Sequence, residues 1–293
     1  MKIRLFLAGL TLLFAACSTN DDSITDDTLI PVTVRVSDFS VSQDEFPGTR
    51  ATTAPASYEG IDAITLAFYD EKGTEQYKTT QLKSNLPSGK TFGEMELSLH
   101  YGSYTMVVIG RGHFSGDSFN LDSPTSALYD CEHVRETFTC TQDVRISSTS
   151  PVDLEATLNR IVAQVAVVST DTKTANVARI RTSFSAGGKS FNPSTGLALD
   201  NTGFSNTVVG MGEAGEKTSA LNFLFLASDE QKMDVTIETL DADGAVLFSK
   251  TVPNVPLRRN RVTTLTGAMY SPAAATATFM LSTDWLPGNN LNF

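Results

Sequence analysis

The side chains that could do chemistry are few and poorly grouped. The three histidines, His100, His113 and His133, stand in no metal-ligand spacing and beside no nucleophile motif. Cys131-Glu132-His133 followed by Cys140 does not match a zinc spacing. In an oxidising compartment Cys131 and Cys140 could close one short loop as a disulfide, or remain two free thiols. Gly110-Arg111-Gly112-His113 follows an apolar run but lacks the last glycine and the helix of a dinucleotide fingerprint, so it reads as a loop after a strand. Glu94 and Glu96 fall on one strand face, the usual place for solvated carboxylates, and nothing singles them out as a glycosidase pair. Tyr58, Tyr69, Tyr77 and Tyr101 could form a sugar-stacking surface, and serve equally well as ordinary strand or loop residues. No catalytic residue, metal or cofactor is predicted, and the expectation is a protein that is not an enzyme.

One residue does carry a specific chemical expectation. Lys2 and Arg4 precede an apolar run from Leu5 to Leu13, and Phe14-Ala15-Ala16 leads into Cys17. The run is too short to span a bilayer and reads as an export signal. Small residues before a cysteine fit a bacterial lipoprotein signal of residues 1–16, with Cys17 lipidated. The alternative is an ordinary signal in which the cysteine is coincidental. Residues 17–29 are polar and acidic, with little to bury, and read as a tether. The whole chain has 33 acidic and 22 basic side chains, a net charge of −11, which disfavours nucleic acid as a partner. The expected location is the cell surface, held to the outer membrane by lipid.

The elements that must position these residues follow a period of two. Val32/Val34/Val36, Ile64/Leu66/Phe68, Met95/Leu97/Leu99, Val152/Leu154/Ala156/Leu158, Leu221/Phe223/Phe225 and Met233/Val235/Ile237 each alternate with a second, mostly polar set. Each reads as a half-buried strand. Asp70–Gly73 and Asp241–Gly244 are turn signals, the second of them marking a hairpin. Tyr104–Ile109 and Ile161–Val168 are more continuously apolar, as strands covered on both faces would be. One helix is expected near Ser123–Asp130. The expected class is all-β, as two tandem sandwiches: residues 30–158, with a first strand at 30–41 and an exposed loop at 42–59, then residues 159–293.

Three segments stand out. Within the 42–59 loop, proline and glycine surround a lone basic residue, Arg50, followed by Ala51. It is either a target for an arginine-specific protease or a linker with an incidental arginine. Arg258-Arg259-Asn260-Arg261 is a basic cluster in an acidic protein, expected to pair with local carboxylates and carbonyls rather than with a ligand. The C-terminal segment alternates Ala277, Phe279 and Leu281 and continues to Trp285. Such a strand can pair in its own fold or add to another molecule's sheet.

Taken in order, the signal, Val32–Val36, Thr49-Arg50-Ala51, Ala63–Asp70, Asn159–Val167, Arg259-Asn260-Arg261 and Trp285-Leu286-Pro287-Gly288 resemble the Bacteroidales fimbrillins, FimA-like pilins of type V pili. That resemblance implies two transthyretin-like Greek-key sandwiches and lipoprotein export. It implies cleavage between Arg50 and Ala51, loss of the first strand, and refilling of its place by a strand from a neighbouring subunit. The donor would be residues 274–293, through Ala277, Phe279, Leu281 and Trp285. Implied partners are other fimbrial subunits, as a homopolymer or with anchor and tip proteins, and an arginine-specific protease. The family also contains anchor and tip subunits that stay lipidated, and a glycan-binding surface lipoprotein is the rival of another class.

Overall fold

A computed structural model describes residues 28–41, 51–53, 57–147, 149–209, 212–271 and 280–282. Among them there is no α-helix. The alternating apolar residues instead build strands, because only a period of two puts one face of an extended segment into a core.

The first sandwich comes from one long sheet. Its order is β2 (Ala51–Thr53), β1 (Ile30–Val41), β10 (Val152–Arg160), β9 (Thr137–Ile146), β6 (Gly102–Arg111), β3 (Ala63–Asp70) and β4 (Glu75–Leu82), with β5 (Glu94–Leu99) pairing β1. β10 meets β9 only at Asn159↔Thr139 and Arg160↔Phe138. The sheet folds over there, so that β5, β1 and β10 face β9, β6, β3 and β4. Between the layers lie Val34, Leu66, Phe68, Met106, Val108, Phe138 and Leu158, all fully buried.

The second sandwich pairs two four-stranded sheets. One is β15 (Ser219–Leu224), β11 (Ala163–Ser169), β18 (Val262–Gly267) and β19 (Met280–Ser282). The other is β14 (Phe204–Val209), β12 (Arg179–Phe184), β16 (Glu230–Leu240) and β17 (Val246–Arg258). Val165, Val167, Ile180, Val235, Ile237 and Leu265 fill this core. The Asp241–Gly244 segment makes the β16–β17 hairpin: the Asp241 and Ala245 backbones bond, and Gly244 takes φ 87°.

A third apolar cluster cements the two. A small sheet of β13 (Ser190–Phe191), β8 (Ser126–Tyr129) and β7 (Phe119–Ser123) lays Tyr129 and Phe191 against Phe225, Ile161, Val107 and Ile109. Phe191 and Phe225 stack at 4.3 Å between ring centroids. This explains the continuous apolarity of β6: Met106 and Val108 serve the first core, Val107 and Ile109 the third.

Two expectations fail. The helix near Ser123–Asp130 is the β7–β8 hairpin: Pro124 and Thr125 turn the chain, and Ala127 and Tyr129 point inward at period two. In β15 the sandwich core takes Ala220, Asn222 and Leu224, not Leu221 and Phe223. Asn222 can be fully buried because its amide meets Asn206, Thr182 and the Val165 carbonyl, while Phe223 turns to the third cluster.

Candidate functional site

β1 is not an edge strand. It runs parallel to β10 from Val32↔Val152 to Ser40↔Asn159 and antiparallel to β5 from Ile30↔Leu99 to Arg35↔Glu94. Its last residues pair with β2, Val41 facing Ala51. Ile30, Val32, Val34 and Val36 are at most 5% exposed. Burying four such side chains stabilises the fold by roughly 6–12 kcal/mol. On the outer face, Arg35 spans both neighbours, with Nε 3.1 Å from Glu94 Oε1 and Nη1 2.8 Å from Asp153 Oδ1. Those bonds and charges raise the Arg35 pKa further, the Asp153 hydrogen bond most of all.

Beyond β2, Tyr58 anchors a polar knot in which Arg160 is buried and its partners are half-buried. Its hydroxyl donates to Glu136 Oε1 at 2.7 Å and accepts from Arg160 Nη2 at 2.6 Å. Arg160 Nε lies 2.7 Å from Glu136 Oε1, and Nη1 donates to Asn260 Oδ1 at 3.1 Å. The guanidinium also covers Phe138, 4.8 Å from the ring centroid. One arginine at the end of β10 thus ties the chain exit of the loop to the β17–β18 turn, where Asn260 holds φ 57°. Burial pushes the Tyr58 pKa well up, and the Glu136 carboxylate adds to it.

Beside this knot is a cleft of about 580 Å³ lined by Arg160, Ser194, Thr195, Arg258, Arg259 and Arg261. Its basic cluster is internally matched, as expected: Arg258 pairs Glu230 at 3.2 Å, and Arg259 pairs Asp229 at 2.5 Å and donates to the Thr195 carbonyl at 2.6 Å. At the C-terminal end of β6, where it pairs with Thr137 next to Glu136, Arg111 is buried with its guanidinium 4.7 Å from the Phe119 ring centroid, and burial lowers its pKa. Nearby, burial pushes Asp117 up, but the Arg135 fork at 2.7 and 2.8 Å and the Phe114 amide outweigh it and hold the carboxyl below its usual range. Asp171 takes the amides of Met269, Tyr270 and Ser271 at 2.8–2.9 Å and so fixes the chain leaving β18.

Of the residues singled out by sequence, Cys17, Arg50, Ala277, Phe279 and Trp285 lie outside the described residues. Ala51 opens β2 at the end of β1. Leu281 sits in β19 opposite Leu265, on the other sandwich. Cys131 and Cys140 are both free thiols in the structure. They serve different clusters: Cys140, in β9, packs on the first core, whereas Cys131 packs on the third and donates to the His133 carbonyl. Burial raises the Cys140 pKa. Both thiols should therefore alkylate in denaturant without reductant; an intact mass lacking two adducts would restore the bridge.

Glu94 and Glu96 do share a face, answered by Arg35 and Lys90. The four tyrosines form no exposed platform: Tyr69 is buried and Tyr58, Tyr77 and Tyr101 pack on the first core. Among the described residues no cluster of three or more His, Cys, Asp or Glu could hold a metal ion. Sequence reading missed the Tyr58–Glu136–Arg160–Asn260 knot. The only available signal was a lone arginine ending an alternating strand.

No curated protein matches the chain. Solved structures share the fold at low identity. A candidate polysaccharide-binding protein (DUF1812) from Bacteroides thetaiotaomicron has 11% identity and TM-score 0.52, covering 83% of this chain and 92% of its own. A candidate adhesin from Bacteroides ovatus has 11% identity and TM-score 0.52, covering 90% and 97%. The fimbrial anchor protein Mfa2 from Porphyromonas gingivalis has 11% identity and TM-score 0.51, covering 87% and 97%. At such identities the likeness is one of fold. A family model matches residues 31–279, from the second residue of β1 to the threshold of β19, and the chain belongs to that Family of unknown function (DUF6562).

Proposed function

We propose that the chain is a subunit of a cell-surface fimbria, exported as a lipoprotein through Cys17 and joined to other subunits by strand exchange, in support of adhesion. The observation that carries this reading is the seat of β1. A strand inserted between β10 and β5 is continuous with a segment bearing Arg50, and β2 resumes at Ala51. Cutting between Arg50 and Ala51 frees β1 from the covalent chain. Losing it exposes unpaired backbone along both neighbours and an apolar slot, a state stable only once refilled. An alternating strand from another subunit restores the ladder and the core. Repeated head to tail, such contacts give a filament.

In this reading the chain divides at residues 158/159, and residues 274–293, including Ala277, Phe279, Leu281 and Trp285, form the donor. β19 is the short edge strand of its sheet, which suits a segment that leaves. The fold likeness to a fimbrial anchor protein favours a second reading, a subunit that keeps its lipid and β1 and holds others at the membrane.

The test is the N-terminus of the protein taken from the cell surface. A chain starting at Ala51 supports the polymerising subunit; one starting at a lipidated Cys17 supports the anchor. Arg50→Ala should give a folded, lipidated precursor that forms no filaments, and normal filaments from that variant would end the cleavage claim.

A further inference from the structure

The slot occupied by β1 is acidic on its outer rim. Outward residues of β5 and β10 place Glu94 and Glu155 opposite Arg35, and Glu96 and Asp153 opposite Thr33. Lys90 answers Glu96 at 2.8 Å. Arg35 alone answers Glu94 and Asp153, and Glu155 has no ion pair among the described residues. Arg35 is also the only basic residue of β1. Taking β1 out therefore removes the cation and leaves the carboxylates facing each other across an apolar slot.

The chain's own C-terminal segment does not supply that cation. Residues 272–293 contain no lysine or arginine and carry one acid, Asp284. A second copy cut after Arg50 keeps 26 acidic and 18 basic side chains, a net charge of −8. Opposite charges on neighbouring strands stabilise pairing and like charges weaken it.

From this mismatch we infer that the slot accepts a strand from a different protein, one that alternates apolar residues inward and presents a lysine or arginine between Glu94 and Asp153. This rests on β1 being replaceable, as in the function proposed above, and adds that the partner is heterologous and chosen by charge. The tail of this chain then serves another subunit's slot rather than its own.

The experiment uses the full chain cut after Arg50, incubated with labelled peptides at low salt and followed by fluorescence anisotropy. The peptides are residues 30–41, its Arg35→Ala and Arg35→Glu variants, residues 274–293, and that tail with Met280→Lys. Met280 alternates with Phe279 and Leu281 and so takes an outward position. Arg35→Ala should bind about 3–5-fold more weakly and Arg35→Glu about tenfold more weakly than the parent. The tail should bind no better than Arg35→Glu, and Met280→Lys should improve it about threefold. These differences should shrink at 1 M salt, where the screening length is about 3 Å, and in the Glu94→Gln/Asp153→Asn chain. Equal binding of the parent and Arg35→Glu peptides, or a tail that binds as tightly as the parent, overturns charge selection but leaves strand exchange standing. A cut chain that admits no peptide overturns the exchange itself, and this inference with it.

Discussion

Arg160→Ala lowers the free energy of unfolding by about 3–5 kcal/mol, the usual loss when one partner of a buried ion pair is removed. Arg160 is 5% exposed and answers Glu136, Tyr58 and Asn260 at once. Its removal strands the half-buried Glu136 carboxylate with no counter-charge in the knot and uncovers the Phe138 ring. Lysine keeps the charge but not the fork, so Arg160→Lys should recover only part of the loss. Glu136→Gln added to Arg160→Met should cost much less than the two single changes summed, because the stranded charge is gone. Urea midpoints of the parent and these five variants check this. A loss under 1 kcal/mol for Arg160→Ala would mean that water replaces the knot.

Alkali should unfold the protein steeply from about pH 10 upward. Burial raises the pKa of Tyr129, fully buried and bonded to Thr137 at 2.8 Å, and of Tyr58 in the knot. Both folded values lie above the unfolded value near 10. The neutral phenols therefore contribute fully below about pH 10, and the contribution fades as pH climbs through the folded values. In that window each tyrosine removes about 1.4 kcal/mol per pH unit, together about 2.7. Unfolding free energies at pH 8, 10 and 11 measure the slope, and Tyr129→Phe should lower it by about 1.4 kcal/mol per pH unit, leaving the parts of Tyr58, Tyr69, Tyr104 and Tyr270, whose pKa values burial also raises. A flat profile from pH 10 to 11 would refute the assignment.

These two effects meet at the junction between the sandwiches, the part of the molecule least visible in sequence. Alternation made most strands legible, since each needs only its own residues to declare an apolar face. Val32–Val36, Ile64–Phe68 and Met233–Ile237 turn their apolar sets inward as their pattern requires. Turns were legible for the same local reason, Gly73 and Gly244 both adopting the left-handed backbone that their positions demand. Alternation misled where both faces are covered. In β15 the more apolar face looks outward from its sandwich because a third cluster waits there. At Ser123–Asp130 a short mixed run gave no clear period, and Pro124 decided it.

By itself the sequence determined the all-β class, the positions of most strands and turns, and the segments worth attention: Cys17, the Arg50 loop, the basic cluster and the alternating tail. Each rests on residues near one another along the chain. Only the tertiary structure decided that β1 lies between β10 and β5, that Arg35 bridges residues 59 and 118 positions away, and that Tyr58, Glu136, Arg160 and Asn260 share one knot. It also decided that Cys131 and Cys140 serve different clusters. The physical reason is that pairing, register and buried charge depend on which distant strands come together, and no local pattern of residue types encodes that choice.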